Sequence, residues 1–294
     1  MRAYDDAVTG QDTYDVRFEW GPAGAAALAP SSSFLVIVDV LSFSTSVTVA
    51  AEAGTRVFPC AWRDDAAAAF AREKRAELAA GRRAVSADRP WSLSPAALRR
   101  APFTPRLVLP SPNGSAICAS AVAGGAGAVA PAAGGEAVTM AGGGEAVLVA
   151  GCLRNASAVG RFLRSRLRER GAVGAVTVIA AGERWPDGSL RPALEDLLGA
   201  GAIIAALSGA LSPEAGAGAA VTISPEAAAA RACFGGTADA AAAVAGCASG
   251  RELIEGGFGD DVAIAVEADS CRLVPVLADG AFTAAPLRTA DSTE

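Results

Sequence analysis

Phe34-Leu-Val-Ile-Val-Asp-Val-Leu-Ser-Phe-Ser-Thr-Ser46 decides the fold class: an apolar run, one carboxylate at Asp39, then hydroxyls placed to open a helix. An unbroken apolar run of this kind reads as a strand buried on both faces, the form strands take in parallel sheets covered by helices. Similar runs bounded by turn residues lie at 106–109, 146–150, 176–181, 262–266 and 273–277. Helical stretches are predicted at 45–53, 64–80, 115–123, 156–170 and 192–207, each after a polar or glycine-bearing turn. Strand-turn-helix repetition predicts an α/β protein, a three-layer α/β/α sandwich. The runs 262–266 and 273–277 are separated by Glu267-Ala-Asp-Ser-Cys-Arg272, which holds no helix, so they are expected to pair antiparallel in a mixed, mostly parallel sheet.

Residues 1–294 are read as one domain with a Gly/Ala-rich insertion at about 124–144. The glycines there do not form a dinucleotide-binding loop, because Pro131 and further glycines replace the helix that must follow. A second low-complexity stretch surrounds 212–220.

The 294 residues include no histidine. Imidazole is therefore absent as base, nucleophile and metal ligand, which removes the commonest zinc sites and the Ser-His-Asp and Cys-His arrangements. Carboxylates, hydroxyls, arginines and backbone amides must carry any chemistry. A net charge of −6 gives no basic footprint for nucleic acid, and no polybasic run marks a membrane surface. Arginine must act locally. The acidic start lacks the order of a signal peptide, and the uncharged run 197–211 is too short to span a bilayer. A cytoplasmic protein is expected. Its six cysteines lack CxxC pairs and sit in apolar or small-residue contexts, as buried reduced thiols do. Cys152 fails as a phosphatase nucleophile because Arg154 follows too soon.

Four polar clusters follow predicted strands: Asp39 with Ser42, Ser44, Thr45 and Ser46; Ser111-Pro-Asn-Gly-Ser115; Arg154-Asn-Ala-Ser157; and the dense run from Glu183 to Asp196. Ligands in open α/β sheets bind beyond the carboxyl ends of strands, so the four are expected to converge. Ser44 or Thr45 serves as a helix cap, as an anion ligand, or as both. Asn113, Gly114 and Ser115 form either a plain turn or a phosphate-binding helix start. Arg154 and Asn155 either cap a helix or grip an oxyanion. Pro192 suits a first helical position, which would put Glu195 and Asp196 near the second turn. Adjacent carboxylates diverge, so one faces the site: Glu195 is preferred, with Asp196 its alternative or support.

Val-Ile-Val-Asp-Val-Leu followed by hydroxyls, Pro-Asn-Gly-Ser, Leu-Arg-Asn-Ala-Ser-Ala-Val and Gly-Glu-Arg-Trp-x-Asp-Gly with Leu-Glu-Asp resemble the 2-phosphosulfolactate phosphatase family. Ser249-Gly-Arg-Glu-Leu-Ile-Glu-x-Gly-Phe-Gly-Asp-Asp261 and Ala268-Asp-Ser-Cys-Arg-Leu-Val-Pro275 extend the likeness through most of the chain. The resemblance implies a magnesium-dependent acid phosphatase of α/β/α fold that removes phosphate from 2-phospho-3-sulfolactate in coenzyme M biosynthesis. Where the family usually carries arginine after Asp-Val-Leu, this chain has Ser42. A sulfonate contact would have to come from another arginine, with Arg154 and Arg191 the candidates.

The expected chemistry is hydrolysis of a small phosphate monoester with Mg2+ on Asp39 and on Glu195 or Asp196, since magnesium takes one or two carboxylates plus substrate phosphate. Asp39 and Glu195 are the candidate catalytic residues. Ser44, Thr45, Asn113, Gly114, Ser115, Arg154, Asn155 and Arg191 are the candidate substrate ligands. An aspartyl-phosphate route through Asp39 is the rival mechanism, weakened by Leu41 where haloacid dehalogenase-type phosphatases carry a second aspartate. Alternatives are a phosphatase for another phosphorylated hydroxy acid and a noncatalytic binder of anionic metabolites. A homodimer is left open.

Overall fold

The computed structural model describes residues 11–61, 65–123, 146–169, 175–209 and 221–285. The insertion expected at about 124–144 and the stretch 212–220 lie outside the described residues. Strand β1 (Val16–Trp20) leads through α1 (Gly21–Leu28) into β2 (Ser32–Val38). Along β2, Phe34, Val36 and Val38 enter one core while Leu35 and Ile37 enter another. Both faces are closed to solvent, which is why this strand is written as a run and not as an alternation. After β2 come α2 (Phe43–Glu52), β3 (Arg56–Cys60), α3 (Asp65–Lys74), β4 (Glu77–Leu78), α4 (Pro95–Arg100), β5 (Arg106–Pro110) and α5 (Gly114–Ala123). Next are β6 (Val147–Gly151), α6 (Ala156–Glu169), β7 (Ala175–Ala180), β8 (Glu183–Arg184), β9 (Leu190–Arg191) and α7 (Leu194–Leu207). The chain continues through α8 (Pro225–Gly236), α9 (Ala240–Gly246), α10 (Ala248–Glu255), α11 (Gly259–Ala265), β10 (Pro275–Ala278) and β11 (Ala281–Ala284).

Nine strands form one sheet in the order β1-β7-β2-β6-β10-β11-β3-β5-β4, while β8 and β9 make a separate antiparallel ribbon. The β10–β11 hairpin pairs antiparallel with β6 on one side and β3 on the other, and so joins two parallel groups. Residues of α1, α2 and α5, among them Ala25, Phe43, Val47 and Ile117, share the core of Leu35 and Ile37. On the opposite face Val159, Leu163, Ile203, Ile204 and Ala227 pack from α6, α7 and α8. The three-layer α/β/α sandwich with a mixed, mostly parallel sheet is the observed fold.

Several elements differ from expectation. Residues 262–266 are not a strand: they belong mostly to α11, whose first turn holds Asp260 and Asp261 where the helix dipole favours them. A short apolar run carries no period that separates buried helix from strand. The antiparallel partner of β10 is instead β11, joined through Asp279-Gly280, both with positive φ (50° and 73°). Helix α3 ends at Lys74 because Arg75 turns left-handed (φ 50°), and residues 77–78 then pair with β5. Pro192 lies before α7, which starts at Leu194, so Glu195 and Asp196 occupy its first turn. Among the described residues no helix is long and apolar enough to cross a membrane. Cys60, Cys118, Cys152 and Cys271 are buried and in no disulfide among the described residues, and burial raises the thiol of Cys152.

Candidate active site

Side-chain bonds draw together the carboxyl ends of β2, β5 and β7. Asp39, 4% exposed, accepts the Gly114 amide through Oδ2 at 3.1 Å and also the Phe43 amide. The carboxylate therefore lies between the N-termini of α5 and α2, the positions where a free anion would otherwise bind. Gly114 is required here, because a Cβ at this position would collide with the Phe43 ring.

The neighbouring hydroxyls are engaged by main chain. Ser44 donates to the Ile37 carbonyl at 2.7 Å and accepts the Asp39 amide at 3.1 Å. Thr45 donates to Val40 at 2.6 Å, and Ser115 donates to Leu109 and accepts from Cys60, both at 3.2 Å. All three side chains are shut from solvent. They fasten helix starts to strand ends, which corrects their expected part as substrate ligands: no oxygen of theirs is exposed to meet one.

Asp196 accepts the Val40 amide at 2.7 Å with Oδ1 and the Gly182 amide at 2.8 Å with Oδ2, tying the ends of β2 and β7 together. Gly182 (φ +67°) makes the turn that aims its amide. Glu195, its neighbour in sequence, accepts a hydrogen bond from the Cys247 thiol at 3.1 Å at the start of α10. The two acids diverge as expected, but both are buried, and Asp196 is the one coupled directly to Asp39. Neither acid lines the cavity: Asp196 braces the strand ends with both oxygens, and Glu195 is held at the start of α10.

Glu183 joins the cluster, its Oε2 accepting from Asn113 Nδ2 at 3.0 Å. In the sequence it belongs to the densest polar run without standing out from it; its position directly after the β7 turn is the available signal. Burial, aided by the Glu183 charge, pushes Asp39 up to about 7. Burial likewise raises Asp196, with the Asp39 charge adding to it, and burial raises Glu183.

A cavity of about 910 Å³ opens beside these acids. Asp39 does not line it, whereas its neighbours Leu41 and Ser42 do, together with Ser111, Asn113 and Glu183. Its charged lining is mostly cationic: Arg82, Arg83 and Arg89 on one wall, Arg184 and Arg191 from the β8–β9 ribbon, against Glu183 and Glu252. Arg191 lies 5.7 Å from the Trp185 ring centroid, 3.4 Å from Ser249 Oγ and 3.9 Å from Glu252. Ser111 Oγ, buried, has no hydrogen-bond partner among the described residues. Buried hydroxyls are nearly always paired, so this one is a vacant donor and acceptor at the cavity wall.

The fourth expected cluster is elsewhere. Arg154 is 2% exposed, with Nη1 on Thr48 at 2.8 Å, Nη2 on Glu52 at 2.9 Å and Nε on Glu267 at 3.3 Å. Asn155 is fully buried, accepting from Cys152 and donating to the Ala150 and Leu273 carbonyls. Neither lines the cavity. Their donors are consumed in joining β6 to α2 and to the segment before β10, so their expected contact with substrate is corrected. Arg82, unforeseen, lies instead against Ser42, its Nη2 donating to Ser42 Oγ at 3.0 Å.

Among the described residues no three His, Cys, Asp or Glu side chains come close enough to cage a metal ion. The acid cluster nonetheless fits a hard cation of the kind that takes one or two carboxylates and completes its shell with water and substrate oxygens. Asp39, Asp196 and Glu183 press like charges together under burial, and Arg82, the cation that acts on Asp39, is the weakest influence upon it.

Fold and cavity define an α/β/α protein with an arginine-lined cavity at the carboxyl ends of its strands. The family model of 2-phosphosulpholactate phosphatase matches residues 25–280 of the 294, and the chain belongs to that family. The family name denotes a phosphoric monoester hydrolase. None of the curated proteins matches the chain.

Proposed function

We propose that the protein is a magnesium-dependent phosphatase of small anionic phosphate monoesters, with 2-phospho-3-sulfolactate, cleaved to 3-sulfolactate and phosphate, as the leading substrate. The observation that carries this reading is the concentration of five arginines on one cavity of a chain whose net charge is −6. Such a lining selects anions through local field rather than overall charge.

Arg184 and Arg191 are assigned to the phosphoryl oxygens, with Asn113 and the unpaired Ser111 hydroxyl orienting the ester. Asp39 and Asp196 would hold Mg2+, with water and substrate oxygens completing its shell. When bound, the ion neutralises charge on the phosphoryl group and lowers the pKa of a bound water. With no histidine in the chain, a carboxylate must accept the proton of the attacking water. Glu183 Oε1 is suited to accept it, since Oε2 is held by Asn113, the residue lines the cavity, and burial raises its proton affinity. Asp39 stands behind the wall, positioned for the cation more than for covalent attack on substrate.

Turnover of para-nitrophenyl phosphate and of 2-phospho-3-sulfolactate by purified protein, with Mg2+ and after treatment with EDTA, tests the reading. Hydrolysis that needs the cation is expected. Binding of the esters without turnover would favour a noncatalytic binder, and turnover unaffected by EDTA would remove the metal from the mechanism.

A further inference from the structure

The arginines of the cavity differ in how they are held. Arg82 Nε donates to Asp261 Oδ2 at 3.0 Å, and its Nη2 donates to the Leu41 carbonyl at 2.5 Å and to Ser42 Oγ at 3.0 Å. Asp261 is itself fixed and 1% exposed: its Oδ1 accepts from Ser94 Oγ at 2.5 Å and from the Ala96 amide at 3.0 Å, at the start of α4. Arg82 is thus clamped from three sides, and its Nη1 makes no bond within the described residues. Arg83 and Arg89, on the same wall, have no carboxylate partner among the described residues. On the β8–β9 ribbon, Arg191 lies 3.4 Å from Ser249, 3.9 Å from Glu252 and 5.7 Å from the Trp185 ring centroid, and Arg184 donates to the Gly188 carbonyl at 3.1 Å, so neither is held by a close buried carboxylate as Arg82 is.

We infer that the cavity has two anion subsites, and that Arg82, positioned by Asp261, determines specificity for a second, non-reacting anionic group on the phosphate ester. This rests on the phosphatase reading above, whose leading substrate already carries a carboxylate and a sulfonate beside the ester, and adds the residue that reads one of them. A clamped guanidinium is suited to a group whose charge is constant through the reaction, because it loses little freedom on binding and cannot follow a transferring group. The looser ribbon arginines suit the phosphoryl group, whose geometry changes. Buried Asp261 both aims Arg82 and leaves part of its charge for the ligand. Of the two arginines that the sequence offers for this second contact, Arg154 is sealed in an ion-pair network and Arg191 belongs to the β8–β9 ribbon.

The test is calorimetric binding to wild type, Arg82→Met and Arg82→Lys, with inorganic phosphate, 2-phospholactate and 2-phospho-3-sulfolactate as probes, after thermal melts confirm folding. In Arg82→Met, affinity for the ligand that uses the subsite should fall about ten- to a hundredfold, as loss of a charge-assisted contact implies, while inorganic phosphate should change less than about threefold. Loss confined to the sulfonated ester assigns the subsite to sulfonate, and equal loss for both esters assigns it to carboxylate. Arg82→Lys should recover part of the affinity. An equal fall for inorganic phosphate, or no fall for any probe, overturns the proposal. A wild type that binds the esters but hydrolyses nothing would sink the phosphatase reading while leaving the subsite measurement intact.

Discussion

Asp39 does two jobs that pull apart under mutation. Its oxygens satisfy the first amides of α2 and α5, a purely structural service, and its charge is what the proposed cation would bind. Asn keeps one acceptor oxygen and loses the charge. Asp39→Asn should therefore fold, with Tm within about 4 °C of wild type, and lose about a hundredfold or more of the phosphatase turnover. Near-normal rates in a folded variant would deny Asp39 its proposed part. Arg154 should behave in the opposite way. Its three donors bind Thr48, Glu52 and Glu267, so Arg154→Met should cost about 2–3 kcal/mol of stability, below the value for a fully buried pair because both acids are partly exposed, while KM stays unchanged. Denaturant melts and steady-state kinetics on the same preparation separate the two outcomes. Both residues were legible in sequence as polar groups following strands. What distinguishes a ligand from a brace is the partner set, and Glu52 and Glu267 are more than a hundred residues from Arg154 in opposite directions.

At the scale of elements, the junction of β5 with α5 is the tightest. Gly114 permits its amide to reach Asp39 because Phe43, at the head of α2, fills the space a side chain would need. Gly114→Ala should destabilise by about 1–3 kcal/mol, the usual cost of overpacking, and should displace Asn113 from Glu183. A thermal melt reads the first effect and a rise in KM the second; an unchanged Tm would mean that Phe43 yields freely. The elements best forecast from sequence were those whose period is enforced by two covered faces, β2, β6 and β7 with α2, α6 and α7. Those missed had a different origin. Strand β11 was announced by Asp279-Gly280, a strong hairpin dipeptide, but its apolar run is only Ala281–Ala284. Helix α11 was misread because Val262 to Val266 is apolar throughout, and its first-turn acids Asp260 and Asp261 were read only as part of a motif. The ribbon arginines Arg184 and Arg191 lay in a run marked as polar, whereas Arg82, Arg83 and Arg89 follow β4, a strand of two residues that no apolar run marks. Three of four predicted clusters converge, since β2, β5 and β7 share an end of the sheet, and the fourth is turned toward α2 by its own hydrogen bonds.

For the whole molecule, the acid cluster sets how stability depends on pH. Asp39 has a folded-state pKa raised from its ordinary 3.8 to about 7, and Asp196 and Glu183 are shifted the same way, chiefly by burial. A carboxyl with a raised pKa binds its proton more tightly in the folded chain than in the unfolded one. The stability it contributes is complete below its unfolded pKa and is lost as pH rises through the folded value. Glu267 acts in the reverse direction, held below its ordinary value by Arg99 and Arg154, so its contribution is present above about 4.5 and disappears in stronger acid. The metal-free protein should therefore be most stable near pH 5 and lose stability steadily toward pH 8. A cation binding the deprotonated cluster reverses the sign at the alkaline end: Mg2+ should raise Tm clearly at pH 8 and little at pH 5, where protons already neutralise the acids. Melts at both pH values, with EDTA and with millimolar Mg2+, check this without any substrate. A metal-free Tm higher at pH 8 than at pH 5, or a Mg2+ effect equal at both, would mean that the three acids are balanced by something other than a cation or a proton.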